Sequence, residues 1–266
     1  MTRLSDVGEL ALLAELEQRG LIVGTEHDAA QVDGLVVTQD ALVDGVHFRL
    51  DWLSWRELGF RAAAVNVSDL AASGAEPVAL LVTLALPRET PLADALELYE
   101  GIAELGVPVV GGDTTASPAA VVSVTALGRS DRVPGRDGAR PGDVLVVTGP
   151  LGAAGAAFRE QRYSRPPVRV EEGRELAGTA HAMLDVSDGL AVDAGHIARR
   201  SGVRCVLDLD RVPLAPGATV DDLGFGEDFE LLAAVPDAGR FAVVGRVEEG
   251  EGVDLPYPLR GWEHFT

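Results

Sequence analysis

The chain has 266 residues, 42 acidic and 22 basic side chains, and a formal net charge of −20. A chain this acidic disfavours nucleic acid and anionic membranes as partners, since both are bound through basic side chains. With 47% hydrophobic residues, no apolar run long enough to cross a bilayer and one cysteine, Cys205, we expect a globular cytoplasmic protein without an internal disulfide.

The sequence contains no lysine, so every basic side chain apart from histidine is an arginine. This excludes the phosphate-binding lysine of a P-loop and the lysine of a protein-kinase ATP site. If the chain binds a nucleoside triphosphate, arginine and metal ions must neutralise its phosphates.

The first half of the chain alternates strand-like and helix-like segments. Apolar runs predict strands at residues 32–38, 77–86, 107–110 and 121–127, of which 107–110 is expected to be buried and to run into Gly111-Gly112-Asp113. Helical periodicity predicts helices at residues 1–20, 54–74 and 91–105, with Gly74 ending the second.

A Gly-, Pro- and Arg-rich connector, residues 129–143, separates this half from the next. Strands are predicted at residues 144–148, 183–185, 203–209, 230–235 and 241–247, and helices at 151–161 and 187–200. Ser187 is the candidate N-cap of the last helix. We therefore expect two α/β domains, residues 1–137 and 138–266.

Aspartates recur where apolar runs are expected to end in turns. The segments are Glu26-His27-Asp28, Thr38-Gln39-Asp40, Asn66-Val67-Ser68-Asp69, Gly111-Gly112-Asp113-Thr114-Thr115 and Asp185-Val186-Ser187-Asp188-Gly189. Strand ends are where α/β folds bind ligands, and Mg²⁺ prefers oxygen ligands. Converging aspartates would therefore form a site for several Mg²⁺ ions.

Capping of local N–H groups is the simpler interpretation of each segment taken alone. Asp69 differs, because an unpaired carboxylate within an apolar helix is costly, which favours a paired or metal-bound role. Gly111-Gly112-Asp113 is compatible with a phosphate loop and equally with a tight turn.

In order, these segments resemble the thiamine-monophosphate kinase family, within the wider group of aminoimidazole-ribonucleotide synthetase and the hydrogenase-maturation dehydratase. The resemblance spans HDAA, TQDALVDGVHF, AVNVSDLAASGAEP, VVGGDTT, VTALGR, GARPGDVLVVTGPLGAA, MLDVSDGLAVDAGHIA, GEDFELL and GWEHF. It implies an α/β (α+β), PurM-like fold of two domains. It also implies a homodimer in which the N-terminal sheets pair into a barrel.

The resemblance also implies site residues. Residues matching the family's Mg²⁺ ligands are Asp28, Thr38, Asp40, Asp69, Asp113, Asp185 and Asp188. Nucleotide contacts correspond to Thr38, Gln39, Gly112, Asp113, Arg136 and Ser187, and thiamine-phosphate contacts to His47, Glu227 and Trp262. The implied reaction is direct in-line transfer from ATP to thiamine monophosphate, with no nucleophilic side chain or general base and with Arg136 stabilising charge.

Several positions depart from the family pattern. His27 replaces an aspartate, Gln39 a threonine and Phe225 a glycine, and the second half is shortened around residues 160–169 and after Val235. Two alternatives therefore stay open: a related ATP-dependent ligase-like enzyme, and a non-catalytic protein that binds nucleotide or Mg²⁺.

Overall fold

The computed structural model describes residues 3–23, 27–259 and 261, and these contain two mixed β-sheets flanked by helices. The first sheet has the strand order β1-β2-β5-β3-β4. In chain order its strands are Ala30–Val32 (β1), Leu35–Val43 (β2), Glu76–Leu86 (β3), Val109–Ala116 (β4) and Val121–Arg129 (β5). Neighbouring strands are antiparallel except β3 and β4, which are parallel.

Three helices belong to the same half of the chain. They are Leu4–Gln18 (α1, interrupted at Gly8), Trp55–Ala72 (α2) and Leu92–Ala103 (α3). Ser54 begins α2 with a reciprocal capping box to Glu57, and Gly74 follows its end with a φ of 62°. The predicted helix at 54–74 is therefore confirmed.

The second sheet has the order β11-β8-β10-β6-β9-β7. Its strands are Val144–Val147 (β6), Ala182–Asp185 (β7), Arg204–Leu207 (β8), Leu231–Val235 (β9), Ala242–Glu248 (β10) and Gly252–Asp254 (β11). The helices beside it are Ala153–Arg159 (α4), Val170–Ala177 (α5) and Leu190–Ser201 (α6). Cys205 is fully buried in β8, and burial raises the pKa of its thiol to about 12.

Helix α2 contacts both halves of the molecule. Its last turn, at Ala71 and Ala72, packs in one apolar cluster with Leu231 and Ala233 of β9. A Cβ at Gly173 of α5 would lie 2.1 Å from the carbonyl oxygen of Ala71, so only glycine permits this close approach. The helix thereby holds the second sheet against the first, and Arg61, Val65 and Asp69 on one of its faces line the space between the sheets.

Two predictions about local structure are wrong. The strand expected to be buried at 107–110 is the exposed edge strand β4, and Gly111-Gly112-Asp113 lies inside it because β4 extends to Ala116. Helix α6 begins at Leu190 with Gly189 as its N-cap, so Ser187 is in the preceding turn. The sequence analysis did not anticipate β1, β11 or α5.

The division into residues 1–137 and 138–266 stays a prediction, with its boundary between β5 and β6. Within the described part of the chain, no helix is both long and apolar enough to cross a membrane.

Candidate active site

A cleft of about 590 Å³ opens between the two sheets. One side is formed by β2 and α2, and the other by the turn after β7 and the segment before β9. The predicted site residues that line it are Asp28, Thr38, Gln39, Asp40, His47, Asp69, Arg136, Asp185, Ser187, Asp188 and Glu227. Residues far apart in the sequence therefore meet in one place.

We call Asp28, Asp40, Asp69 and Asp185 the carboxylate wall of the cleft. Asp185 lies at the end of β7, as expected for an aspartate that follows an apolar run. Asp40 and Asp69 instead lie inside β2 and α2, because β2 and one face of α2 line the cleft.

Short polar side chains hold the carboxylate wall in place. The Thr38 hydroxyl donates to Asp69, and the Ser68 hydroxyl donates to Oδ2 of Asp185 at 2.5 Å. The Asp40 N–H donates to the side-chain oxygen of buried Asn66 at 3.0 Å, which ties β2 to α2. These contacts fix the orientation of two carboxylates and the spacing of their elements.

Burial and mutual repulsion disfavour the ionised form of these acids. Burial, with the charges of Asp40 and Asp185 added, raises the pKa of Asp69 well above its ordinary value. Burial and the charge of Asp28 raise the pKa of Asp185 to about 8. The pKa of Asp40 is also raised, chiefly by burial. Acids of this kind gain most from a bound cation.

The donor set of the carboxylate wall fits divalent cations. Carboxylate and hydroxyl oxygens are the hard ligands that Mg²⁺ prefers, and their shared repulsion is removed when a cation lies between them. Asp188 lies in the adjoining turn, where its ligand atom is within 4.8 Å of those of Asp193 and His196. Asp193 accepts the N–H groups of Asp188 and Gly189, each at 3.1 Å, and so orders that turn.

Arg136 makes an ion pair with the carboxylate wall. Its Nε and Nη2 lie 2.7 and 2.5 Å from Oδ1 of Asp28. Burial raises the pKa of Asp28, although Arg136 opposes that effect. Because of this ion pair, Arg136 already has a carboxylate partner. His27, next to Asp28 in the chain, also lines the cleft, and its buried Nδ1 has no hydrogen-bond partner among the described residues.

Two predicted nucleotide contacts lie elsewhere. Gly112 and Asp113 are exposed on edge strand β4 and do not line the cleft. Cross-strand pairing places Asp40 opposite Val124, Val124 opposite Val82, and Val82 opposite Gly112. Three strand spacings make that separation about 14 Å, too far for Asp113 to share a cation with Asp40 in the same chain.

The predicted acceptor contacts have different outcomes. His47 lines the cleft and its Nδ1 accepts the Val43 N–H at 3.1 Å. Glu227 lines the cleft in a left-handed backbone conformation, φ 56°, which is costly for a residue other than glycine. Trp262 is outside the described residues.

Sequence reasoning missed a second region of the cleft, which we call the aromatic wall. It consists of Phe158, Tyr163, Phe225 and Phe229 around the ion pair of Arg61 and Glu227. The rings of Phe158 and Phe225 are in tilted contact, with centroids 4.9 Å apart. A signal for Arg61 was present, because Arg61, Val65 and Asp69 recur every four residues along α2 and all line the cleft.

The chain matches two family models, which lie one after the other in the sequence. "AIR synthase related protein, N-terminal domain" matches residues 26–130, and "AIR synthase related protein, C-terminal domain" matches residues 140–229. A thiamine-monophosphate kinase of Pyrococcus horikoshii is 34% identical, over 87% of this chain and 86% of the relative. The chain belongs to the thiamine-monophosphate kinase family.

Solved structures of that family share the whole architecture. The thiamine-monophosphate kinase from Aquifex aeolicus superposes with a TM-score of 0.87 at 31% identity, covering 98% of this chain and all of that one. AaThiL complexed with AMPPCP and TMP superposes with a TM-score of 0.90 at 30% identity, covering 99% of both chains. The predicted PurM-like α/β (α+β) fold of two domains is therefore confirmed.

Proposed function

We propose that this chain transfers the terminal phosphoryl group of ATP to thiamine monophosphate, yielding ADP and thiamine diphosphate. The observation that carries the proposal is the carboxylate wall, in which Asp28, Asp40, Asp69 and Asp185 are clustered inside the cleft. Membership of the thiamine-monophosphate kinase family supports the choice of acceptor.

The reaction brings like charges together. Two unit charges 4 Å apart repel by about 4 kcal/mol at an effective dielectric constant near 20. We propose that Asp28, Thr38, Asp40, Asp69, Asp185 and Asp188 hold several Mg²⁺ ions against this repulsion. When bound, these ions would neutralise the phosphates of both substrates and stabilise charge on the group in transfer.

The protein's own groups position the substrates. A phosphate oxygen of the acceptor forms a bond to the γ-phosphorus while the bond from that phosphorus to the bridging oxygen of ADP breaks. An acceptor phosphate is largely ionised at neutral pH, since its second pKa is about 6, so no general base is needed. Arg136, fixed by Asp28, contributes positive charge, and Gln39 and Ser187 contact the nucleotide.

We propose further that the enzyme is a homodimer whose partner supplies Asp113. Every residue of β4 is exposed, including Val109 and Val110, although the strand is apolar at its start. An exposed edge of this kind favours pairing with another chain. A second copy placed along β4 could bring its Gly112 and Asp113 to a cleft they cannot reach in their own chain.

An assay of the purified protein tests the reaction directly. With ATP, thiamine monophosphate and excess Mg²⁺, we expect thiamine diphosphate to appear in step with ADP, and both to disappear with EDTA. Nucleotide binding without thiamine diphosphate, or release of free phosphate in its place, would refute the proposal.

Mixing two inactive variants tests the shared site. If Asp69 and Asp113 of different protomers form one site, refolding Asp69→Asn with Asp113→Asn restores about a quarter of wild-type activity, because half of the dimers are mixed and each has one intact site. If both residues serve the same chain's site, or the protein is monomeric, mixing restores nothing. Each variant refolded alone is the control.

A further inference from the structure

Arg61 is a deeply buried charge in the cleft. Its side chain is 2% exposed, and it lies within α2 among apolar neighbours. Burying a guanidinium costs several kcal/mol unless its donors are satisfied. A buried charge of this kind calls for a compensating function, and the reaction proposed above assigns no role to Arg61.

Arg61 is only partly satisfied in the described part of the chain. Its Nη2 lies 2.6 Å from Oε1 of Glu227, yet none of its three nitrogens makes a well-aligned hydrogen bond to any described residue. The guanidinium is also 5.0 Å from the ring of Tyr163 and 5.9 Å from that of Phe229. Buried donors are therefore available beside a carboxylate acceptor, between aromatic faces.

The backbone around Arg61 is built to hold this arrangement. Glu227 and Phe229 have φ values of 56° and 52°, while Asp228 between them accepts the Gly152 N–H at 2.6 Å and the Ala154 N–H at 3.2 Å. Anchoring Asp228 to the start of α4 turns its two neighbours into the cleft. Strained backbone of this kind persists where the surroundings fix it, commonly at ligand sites.

Position along α2 indicates what binds there. Arg61 and Asp69 are eight residues apart on one helix face, about 12 Å along the axis. Arg61 is thus too distant to share a phosphate held at the carboxylate wall. That spacing suits the far end of an extended acceptor whose phosphate lies among the aspartates. The far end of thiamine monophosphate is a flat aminopyrimidine, with ring-nitrogen acceptors beside an amino donor.

We propose that Arg61 and Glu227 bind the polar edge of the aminopyrimidine ring of thiamine monophosphate. Arg61 donates a hydrogen bond to a ring nitrogen, and Glu227 accepts one from the amino group. The rings of the aromatic wall, Phe158, Tyr163, Phe225 and Phe229, cover its faces. The pair is neutral overall, so it does not repel the cationic thiazolium ring. This inference rests on the proposed function and makes Arg61 a specificity-determining residue.

The test is a comparison of two acceptors in binding experiments with Mg²⁺ and a non-hydrolysable ATP analogue. One acceptor is thiamine monophosphate, and the other is the thiazole phosphate that lacks the pyrimidine. For Arg61→Met we expect the preference for the complete acceptor to fall roughly 10- to 100-fold, as for loss of a charge-assisted hydrogen bond. Affinity for the ATP analogue and for the thiazole phosphate should stay within about twofold.

Two further variants make the result decisive. Arg61→Lys keeps the charge and one donor, so it should fold and lose less of the preference, and it replaces Arg61→Met if that variant does not fold. Arg165→Gln is the matched control, because Arg165 is exposed, pairs with Glu104 and is outside the cleft. It should match the wild type.

An unchanged preference in both Arg61 variants would overturn the inference, as would loss of ATP-analogue binding, which would assign Arg61 to the nucleotide. Failure of the proposed function is distinguishable. It would show as no thiamine diphosphate from the wild type, whether or not Arg61 affects acceptor binding.

Discussion

The two walls of the cleft differ in charge: one gathers carboxylates and the other contains a neutral ion pair. The carboxylate wall gathers Asp28, Asp40, Asp69 and Asp185, and within the described chain Arg136 is the arginine that pairs with it. The aromatic wall contains a neutral ion pair, Arg61 with Glu227, packed against rings. In the proposed function the first wall binds cations from solution, whereas the second contacts the acceptor through side chains alone. We therefore expect catalysis and acceptor recognition to be separable by mutation.

Removing one member of the carboxylate wall should have the largest effect. We expect Asp69→Asn to lower kcat more than about 100-fold, beyond the 10- to 100-fold typical of residues that only orient a metal ligand. The same substitution should raise the melting temperature of the metal-free protein, because it removes a buried, repelled charge. Activity assays and thermal melts in EDTA check both. Asp131→Asn, on an exposed connector residue, is the control and should change neither.

The stability of the metal-free protein should fall as pH rises. Burial and Asp28 raise the pKa of Asp185 from 3.8 to about 8, so the folded state binds a proton that the unfolded state releases. The contribution of protonated Asp185 to the free energy of unfolding is fully present below about pH 4 and is lost as pH rises through about 8. Melting temperatures in EDTA should drop by several degrees across this range at constant ionic strength.

Two controls separate this effect from general charge repulsion. Saturating Mg²⁺ at pH 8 should restore the melting temperature, and Asp185→Asn should flatten the pH dependence in EDTA. An equally steep dependence in Asp185→Asn would contradict the assignment.

A smaller effect is expected from the aromatic wall. Phe225→Gly removes a ring that lines the cleft beside Phe158. Loss of one aromatic contact with the acceptor, worth about 1 kcal/mol, should raise acceptor KM about fivefold with kcat little changed. Phe241→Leu, at the apolar cluster under β9, is the control for general destabilisation. A fall in kcat at unchanged acceptor KM would show that the two walls are not separable.

The sequence predicted the carboxylate wall better than the aromatic wall. Asp69 stands out because a charge is costly among the apolar neighbours of its helix, and the resemblance to the family adds Asp28 and Asp185. Phe158 and Tyr163 could not be predicted, because only the tertiary structure decides how their segment packs. Arg61 was not distinguished from other helix residues, despite its spacing from Asp69.

The exposure of β4 could not be predicted from its sequence. Val109 and Val110 have the composition of a buried strand, but no element among the described residues covers them. The start of α6 was misplaced because Gly189, with a φ of 112°, takes the N-cap position for which Ser187 is the better residue by propensity. Cytoplasmic localisation and the roles of the individual site residues stay predictions.

The thiol of Cys205 can be used to detect local unfolding of the second sheet. Cys205 is the chain's one cysteine, and it is buried in β8, the strand next to the edge strand β11 of the second sheet. Burial raises the pKa of its thiol to about 12. A thiol reagent reacts with the thiolate, so labelling at neutral pH waits for β8 to become exposed. The labelling rate therefore measures how often β8 is exposed by transient unfolding. Comparing this rate with and without ligands would show how far a ligand bound in the cleft stabilises the second sheet against unfolding.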